Sequence, residues 1–272
     1  MNRKKKILIA NRGVIAIRAL RAAKELGYEV ASVYSTADKN LKHLKLSDEA
    51  ICIGPPDSRE SYLNEAAIIS AAELADVDGI YPGYGFLSEN AEFAEKCKNS
   101  GFKFIGPSHE IISLMGDKIQ AKNLMRQLGV PVVPGYEGPV ESKTQIEDKV
   151  KDVGLPVIIK AASGGGGRGM RIVREISELW SAIEDARSEA NAAFGSDIVF
   201  IERYLERPRH VEIQVFGDGK GNAVHLFSRD CSLQRKYQKV IEEAPAIKIP
   251  DEKINEIYQI SVNACRELNY EG

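Results

Sequence analysis

Residues 156–170 read PVIIKAASGGGGRGM: a short apolar run ends in a lysine and continues into a glycine-rich loop. The β-branched run at 156–159 predicts a buried strand, with Lys160 at the end of that strand. Four consecutive glycines allow positive φ angles and can turn several backbone N–H groups toward one anion. Because the lysine precedes the glycines, the loop differs from a P-loop, in which the lysine follows them. The pattern predicts a triphosphate-binding loop, and the alternative is a flexible surface turn.

The segments that flank this loop predict a small α+β subdomain, which the loop would close like a lid. The expected elements are helices near 145–153 and 179–193 and strands at 170–173 and 198–202. Prolines and a glycine at 130–135 stop the preceding helix and mark the start of this subdomain. Further on, 211–215 and 223–227 flank a glycine-rich turn, which predicts a β-hairpin that opens a larger antiparallel sheet.

The N-terminal part alternates strand-like and helical patterns. The expected strands are 7–10, 30–34, 50–53, 79–81 and 102–105, and the expected helices are 14–26, 63–74 and 91–98. Such a βαβ series predicts a parallel sheet covered by helices. The first turn, 10–13, has one glycine where a dinucleotide-binding fold has three, so no NAD site is expected. Asp38, at about the distance of a ribose-binding carboxylate, is expected to be a turn residue.

Composition limits the classes of partner. The chain has 272 residues, 43% hydrophobic and 28% charged, which suits about two soluble globular domains. With 37 basic and 39 acidic side chains, its net charge of -2 favours neither nucleic acid nor an anionic membrane as a partner. The four cysteines and four histidines are scattered without metal-ligand spacing. No signal peptide or membrane span is apparent, and a cytoplasmic location is expected.

Several stretches, in the order in which the family has them, resemble the biotin carboxylases, which are ATP-grasp enzymes. The matching stretches lie at 9–13, 82–90, 114–118, 160–170 and 208–214 and within 229–239. The resemblance extends along the whole chain. It implies an α/β fold with a Rossmann-like N-terminal domain at 1–116 and an ATP-grasp domain at 117–272. The ATP-grasp domain would have its lid subdomain at about 131–203 and would be incomplete at its C-terminus.

The resemblance also implies the reaction. In that family, ATP with Mg²⁺ or Mn²⁺ activates bicarbonate to carboxyphosphate. The carboxyl group then passes to a ureido nitrogen of biotin, which is attached to a biotin carboxyl carrier protein or domain. A carboxyltransferase component uses the carboxybiotin. The family resemblance implies a homodimer as well.

The phosphate-binding residues implied by the resemblance come from the start of a helix, the end of a strand and the glycine loop. Lys118 and Lys160 would neutralise the α- and β-phosphates. The N–H groups of Gly165, Gly166 and Gly167 would follow the transferred phosphoryl group as the lid closes. Read without the family, a lysine at a helix start such as Lys118 is an ordinary solvated residue.

The remaining implied residues bind the nucleoside and bicarbonate. Glu202 would accept a hydrogen bond from the adenine amino group, and Leu205 would line the base pocket. His210 and Gln234 resemble the family's ribose and triphosphate contacts. Lys239 would be the catalytic residue that holds bicarbonate, because carboxyphosphate that forms beside a triphosphate requires a nearby positive charge.

Each of these side chains also has a purely structural interpretation. Glu202 could be an edge-strand carboxylate and His210 a hydrogen-bonded strand histidine. Lys239, close to the glutamates at 242–243, could be half of a surface ion pair. Cys231 is expected to be a small buried residue with no chemical role, because this reaction has no step for a thiol.

The end of the chain leaves the activity of this sequence open. A final helix at 251–268 is followed by 269–272, where this architecture would continue into another strand, so we expect a chain cut before its last domain is complete. The metal ligands are then expected beyond Gly272. Two alternatives remain: a catalytically inactive nucleotide-binding or dimerisation fragment, and another carboxyphosphate-forming ATP-grasp ligase such as a carbamoyl phosphate synthetase.

Overall fold

The structure, a computed structural model, describes residues 3–138, 140, 142–162, 170–235 and 238–272. The chain divides into two compact units. One extends to Ser113 and includes Glu271–Gly272, and the other runs from Leu114 to Tyr270. Among the helices of the described residues, none combines the length and the apolar character needed to cross a bilayer.

The first unit is built on a five-stranded parallel sheet. Its elements in chain order are β1 (Lys6–Ile9), α1 (Gly13–Glu25), β2 (Glu29–Ser35), α2 (Lys42–Leu46), β3 (Glu49–Gly54), α3 (Glu65–Leu74), β4 (Gly79–Tyr81), α4 (Ala91–Asn99), β5 (Lys103–Phe104) and α5 (His109–Gly116), within which the division falls. The strand order is β3-β2-β1-β4-β5, with every neighbouring pair parallel. The predicted parallel sheet is confirmed. The five-residue helix α2 was not predicted, because it is too short for a helical period to show.

A buried carboxylate joins the loops that follow β1 and β2. Asp38 accepts hydrogen bonds from Ser35 Oγ at 2.8 Å, Tyr62 Oη at 2.8 Å and Arg12 Nη1 at 3.0 Å. Burial acts to raise the pKa of Asp38, but these three donors outweigh it and hold the pKa below its usual value. Asp38 is therefore a turn residue, as expected, and these hydrogen bonds stabilise the turn.

The second unit contains two antiparallel sheets. Its elements are α6 (Lys118–Gln127), β6 (Gly135–Tyr136), α7 (Lys143–Val153), β7 (Val157–Ala161), β8 (Arg171–Val173), α8 (Leu179–Phe194), β9 (Val199–Arg203), β10 (Val211–Gly217), β11 (Ala223–Arg235), β12 (Gln238–Glu243) and α9 (Asp251–Glu267). One sheet has the order β6-β9-β7-β8 and the other β10-β11-β12. The β10–β11 pairing is antiparallel, which confirms the predicted hairpin.

Apolar helix faces hold the four-stranded sheet in place. Ile146 and Val150 on α7 and Leu179 and Ile183 on α8 are fully buried in one cluster with the strand residue Ile159. Their spacing of four residues follows the helical period, so each helix presents one apolar stripe to the sheet. The opposite face of β7 is consequently free to carry polar side chains.

Candidate active site

The first group of site residues is organised by the pairing of β7 with β9. Ile158 lies opposite Glu202 in the antiparallel register, so Lys160, two residues further on, is a diagonal neighbour of Glu202 on the same face. Lys160 Nζ donates to Glu202 Oε2 at 2.6 Å. The side chain of Glu202 is 12% exposed and that of Lys160 is 33% exposed, so the carboxylate is largely shielded from water while the lysine is partly open to solvent.

Helix α6 supplies two further lysines to this group. Lys118 and Lys122 are four residues apart and therefore share one helix face. Lys118 Nζ donates to the Ala161 carbonyl at 3.4 Å, next to Lys160. Lys122 Nζ lies 2.9 Å from Glu202 Oε1. Two ammonium groups therefore contact the Glu202 carboxylate, and a third lies at the carbonyl of Ala161, the residue after Lys160.

The surroundings change the proton affinities of this group. Burial acts to raise the pKa of Glu202, but the hydrogen bonds from Lys160 and Lys122 outweigh it and lower the pKa. Burial and the neighbouring charge of Lys160 together lower the pKa of Lys118, which Glu202 only partly offsets. Glu137 Oε1 lies 2.7 Å from Lys122 Nζ, so the group contains three ammonium groups and two carboxylates. Its net positive charge is suited to binding a polyanion.

Leu205 lies two residues beyond β9 and is 48% exposed. Its apolar surface is therefore open to a ligand that extends from the Lys160–Glu202 pair along β9. The predicted phosphate ligands Gly165, Gly166 and Gly167 lie outside the described residues.

The second group lies on the three-stranded sheet. Gln234 Nε2 lies 2.6 Å from His210 Nδ1, and His210 Nε2 lies 3.3 Å from Glu212 Oε1. The two predicted nucleoside contacts, His210 and Gln234, therefore lie side by side. Since Glu212 follows two positions after His210 at the start of β10, both side chains point to the same face of the sheet.

Lys239 is held by carboxylates in this second group. Its Nζ lies 3.0 Å from both oxygens of Glu212 and 3.4 Å from Glu242 Oε1. The hydrogen bond from Lys239 to Glu212 is the main reason that its pKa is raised. Its side chain is 43% exposed, so a small anion can reach the ammonium group from solvent. The structure thus contains the ion pair that was the alternative interpretation of Lys239.

Three potential metal ligands also meet here. His210, Glu212 and Cys231 have ligand atoms within 4.8 Å of one another among the described residues. An imidazole and a thiol are poor ligands for Mg²⁺, which prefers oxygen, so this set does not fit that ion. Burial raises the pKa of the Cys231 thiol, consistent with the inert cysteine that was expected.

Sequence reasoning missed Lys122, Glu137 and Glu212. Lys122 is four residues after Lys118, a spacing that places both on one helix face, and Glu212 alternates with His210 along a strand. Both periodicities were available in the sequence. Glu137 carried no such signal, because its contact with Lys122 depends on how β6 pairs with β9.

Comparison with known proteins finds a matching family for each of the two parts of the chain. Residues 3–112 match the family described as biotin carboxylase, N-terminal domain, and residues 117–272 match the family described as carbamoyl-phosphate synthase L chain, ATP binding domain. The chain belongs to the biotin carboxylase family. The predicted fold, a parallel-sheet domain followed by an ATP-grasp domain, is confirmed for this family member.

Individual relatives of the biotin carboxylase family agree along nearly the entire chain. The Pseudomonas aeruginosa biotin carboxylase is 55% identical over 268 residues, which are 98% of this chain and 60% of that protein. The crystal structure of the Campylobacter jejuni biotin carboxylase in complex with β-γ-ATP covers 99% of this chain and 60% of its own, with a TM-score of 0.93 and 50% identity.

A further structure is the biotin carboxylase domain dimer of the Hydrogenobacter thermophilus 2-oxoglutarate carboxylase, in complex with MgADP, ADP and bicarbonate. It has a TM-score of 0.90 and 42% identity, and it covers 100% of this chain and 60% of its own. The chain thus spans about three fifths of the length of these three relatives.

Proposed function

We propose that this chain provides the nucleotide-binding site and the bicarbonate-binding lysine of a biotin carboxylase. The observation that carries the proposal is the Lys118, Lys160 and Glu202 cluster on adjoining elements of an ATP-grasp domain. Its reaction is the ATP-dependent carboxylation of biotin with bicarbonate.

The nucleotide would lie along β7 and β9. Lys118 and Lys160 would neutralise its phosphates, and Glu202 would accept from the adenine amino group. Leu205 would contact the base. In the structure Lys160 donates a hydrogen bond to Glu202. A phosphate group of the nucleotide would compete with Glu202 for the Lys160 ammonium group.

His210 and Gln234 would contact the ribose and the triphosphate. The 2.6 Å contact between them supports their action on one ligand. The backbone N–H groups of Gly165, Gly166 and Gly167 would bind the transferred phosphoryl group.

Lys239 would hold bicarbonate. A bicarbonate oxygen attacks the γ-phosphorus of ATP, the bond from that phosphorus to the β,γ-bridging oxygen breaks, and ADP leaves. Carboxyphosphate then gives up its carboxyl group to the biotin ureido nitrogen as the carbon–oxygen bond to phosphate breaks. The departing phosphate takes the proton of the ureido N–H and is released as inorganic phosphate. The Lys239 ammonium would stabilise the negative charge on the carboxyl oxygens during both steps.

Several ligands and partners follow from the proposal. The H. thermophilus structure contains MgADP and bicarbonate and is a domain dimer, which supports Mg²⁺, bicarbonate and a homodimer here. We propose a biotin carboxyl carrier protein or domain and a carboxyltransferase component as partners, and a cytoplasmic location. The divalent cation would supply charge neutralisation on the phosphates, and its ligands are not assigned to the described residues.

We also propose the domain limits 1–116 and 117–272, with a lid subdomain at about 131–203. The two family matches, 3–112 and 117–272, support a boundary in this region. The glycine-rich loop would belong to the lid.

The test is phosphate release from MgATP with and without bicarbonate and free biotin, measured on this chain and on the longest product of its gene. We expect the longest product to release phosphate only when both are present. Release that is indifferent to biotin would favour another carboxyphosphate-forming ATP-grasp ligase.

A further inference from the structure

Lys122 is the most enclosed cation of the first site group. Its Nζ lies 2.7 Å from Glu137 Oε1 and 2.9 Å from Glu202 Oε1. The side chain of Lys122 is 9% exposed, and those of Glu137 and Glu202 are each 12% exposed. An ammonium group this shielded is tolerated only with charged partners, and here it has two.

The backbone leaves room for this contact. Gly135 on β6 lies opposite Glu202 on β9. A Cβ at Gly135 would lie 2.9 Å from Lys122 Nζ and 3.2 Å from Glu202 Cγ, and it would collide with the Ile201 carbonyl oxygen. The glycine therefore allows the lysine to approach Glu202 over the strand.

Two lysines fix the chemical character of Glu202. Lys160 occupies Oε2 and Lys122 occupies Oε1, and an ammonium group can only donate hydrogen bonds. Both lysines therefore require Glu202 to be an ionised acceptor, which agrees with its lowered pKa. Since a carboxylate offers about four lone-pair sites, acceptor capacity remains for a ligand.

We propose that Lys122 is a positioning residue that holds Glu202 as an acceptor, so that the site selects a 6-aminopurine over a 6-oxopurine. The inference rests on the proposed function, in which Glu202 faces the base. The 6-amino group of adenine donates to a carboxylate. The 6-oxygen of guanine is itself an acceptor and would be repelled, unless Glu202 were protonated and could donate.

Equilibrium binding of ADP and GDP to the longest product of the gene, in the presence of Mg²⁺, tests the role of Lys122. The wild-type chain should prefer ADP. Lys122→Met should weaken ADP binding by about tenfold or more, the factor expected for a charge-assisted hydrogen bond, and should reduce the ratio of ADP to GDP affinity. Lys122→Arg, which keeps the charge and the donors, should restore both quantities.

The matched control is Arg126→Met. Arg126 lies one helical turn after Lys122 and contacts Glu137 at 3.2 Å. The control removes a charge from the same helix face next to the same glutamate, and it should leave the ADP-to-GDP ratio unchanged. If Lys122→Met does not fold, as judged by its melting curve, Lys122→Leu, which also lacks a donor, takes its place with the same expected loss of preference.

A pH profile separates positioning from a merely structural role. Without Lys122, the pKa of Glu202 should rise, so the ADP affinity of Lys122→Met should fall more steeply with decreasing pH than the ADP affinity of the wild type. A variant that keeps the wild-type affinity, preference and pH profile would overturn the role of Lys122 while the nucleotide site stands. If the wild-type chain binds neither nucleotide, the proposed function fails and this assignment fails with it.

Discussion

Lys239 Nζ lies 3.0 Å from each carboxylate oxygen of Glu212, so one glutamate contacts the lysine with both of its oxygens. Glu242 adds a second carboxylate at 3.4 Å. The lysine is thereby kept protonated and in place at the sheet face that also carries His210 and Gln234. A bicarbonate ion would have to share or replace these carboxylate contacts.

Lys239→Met, made in the longest product of the gene, should abolish bicarbonate-dependent phosphate release. We expect a decrease of about a hundredfold or more, since the variant loses the charge that stabilises the carboxyl oxygens. ADP affinity should be unchanged. The control is Lys253→Met, which removes a lysine from an exposed ion pair with Glu256. Equal losses of ADP binding and of phosphate release in Lys239→Met would assign the lysine to nucleotide binding instead.

Lys118 should make ADP binding sensitive to alkaline pH. Because burial and Lys160 lower the pKa of Lys118, its positive charge, and the phosphate affinity with it, should be lost at a lower pH than for an ordinary lysine. Lys160→Met removes the repelling charge and should shift the alkaline limb of the binding profile to higher pH, in addition to weakening ADP binding by about tenfold. An unchanged alkaline limb in Lys160→Met would show that the two lysines are not coupled.

Most of the fold was predictable because its periodicities are local. The apolar strand runs of the parallel sheet and the alternating pattern of the β10–β11 hairpin each specify their own element. Two short elements were not predicted from the sequence: α2, which covers one turn and a half, and β6, the two-residue strand Gly135–Tyr136. Such elements exist because of tertiary pairing, which a local pattern cannot reveal.

Asp38→Asn should destabilise the first unit. The variant keeps the size of the side chain but loses the charge that accepts from Arg12, Ser35 and Tyr62, at a cost of about 2 kcal/mol in the free energy of unfolding. The lowered pKa of Asp38 stabilises the fold above its unfolded pKa, and that contribution is lost as the pH falls.

Chemical denaturation between about pH 5 and pH 2 should therefore give a flatter stability curve for Asp38→Asn than for the wild type. Asp148→Asn is the control, because Asp148 is exposed and its ion pair with Lys151 is exposed as well. It should change the free energy of unfolding by less than about 0.5 kcal/mol. Equal effects of the two substitutions would rule out a special role for the buried carboxylate.

Gly135→Ala should lower the melting temperature and weaken ADP binding. Its Cβ would meet the Ile201 carbonyl oxygen and the Lys122 ammonium group, and such overpacking costs about 1–3 kcal/mol. Gly116→Ala adds a methyl group where no atom lies within 4 Å and should not lower the melting temperature. A Gly135→Ala chain as stable as Gly116→Ala would contradict the close approach of β6 and β9.

The residues of the site were less predictable than their positions in the fold. Lys160 and Glu202 could be named from motifs, yet their direct contact depends on the antiparallel register of β7 and β9, which places them diagonally. Lys122 lacked a motif of its own, and its importance appears only when β9 is placed beside α6. A single sequence does not show which segments that are distant along the chain lie next to each other in the fold, so these contacts could not be predicted.

The most direct test of the central claim is the fate of ¹⁸O from labelled bicarbonate during turnover by the longest product of the gene with MgATP and biotin. Formation and breakdown of carboxyphosphate leave one bicarbonate oxygen in the phosphate product, so mass spectrometry should find one ¹⁸O in each phosphate released. Phosphate without label, formed in the presence of biotin and bicarbonate, would show that water attacks ATP and would contradict the account.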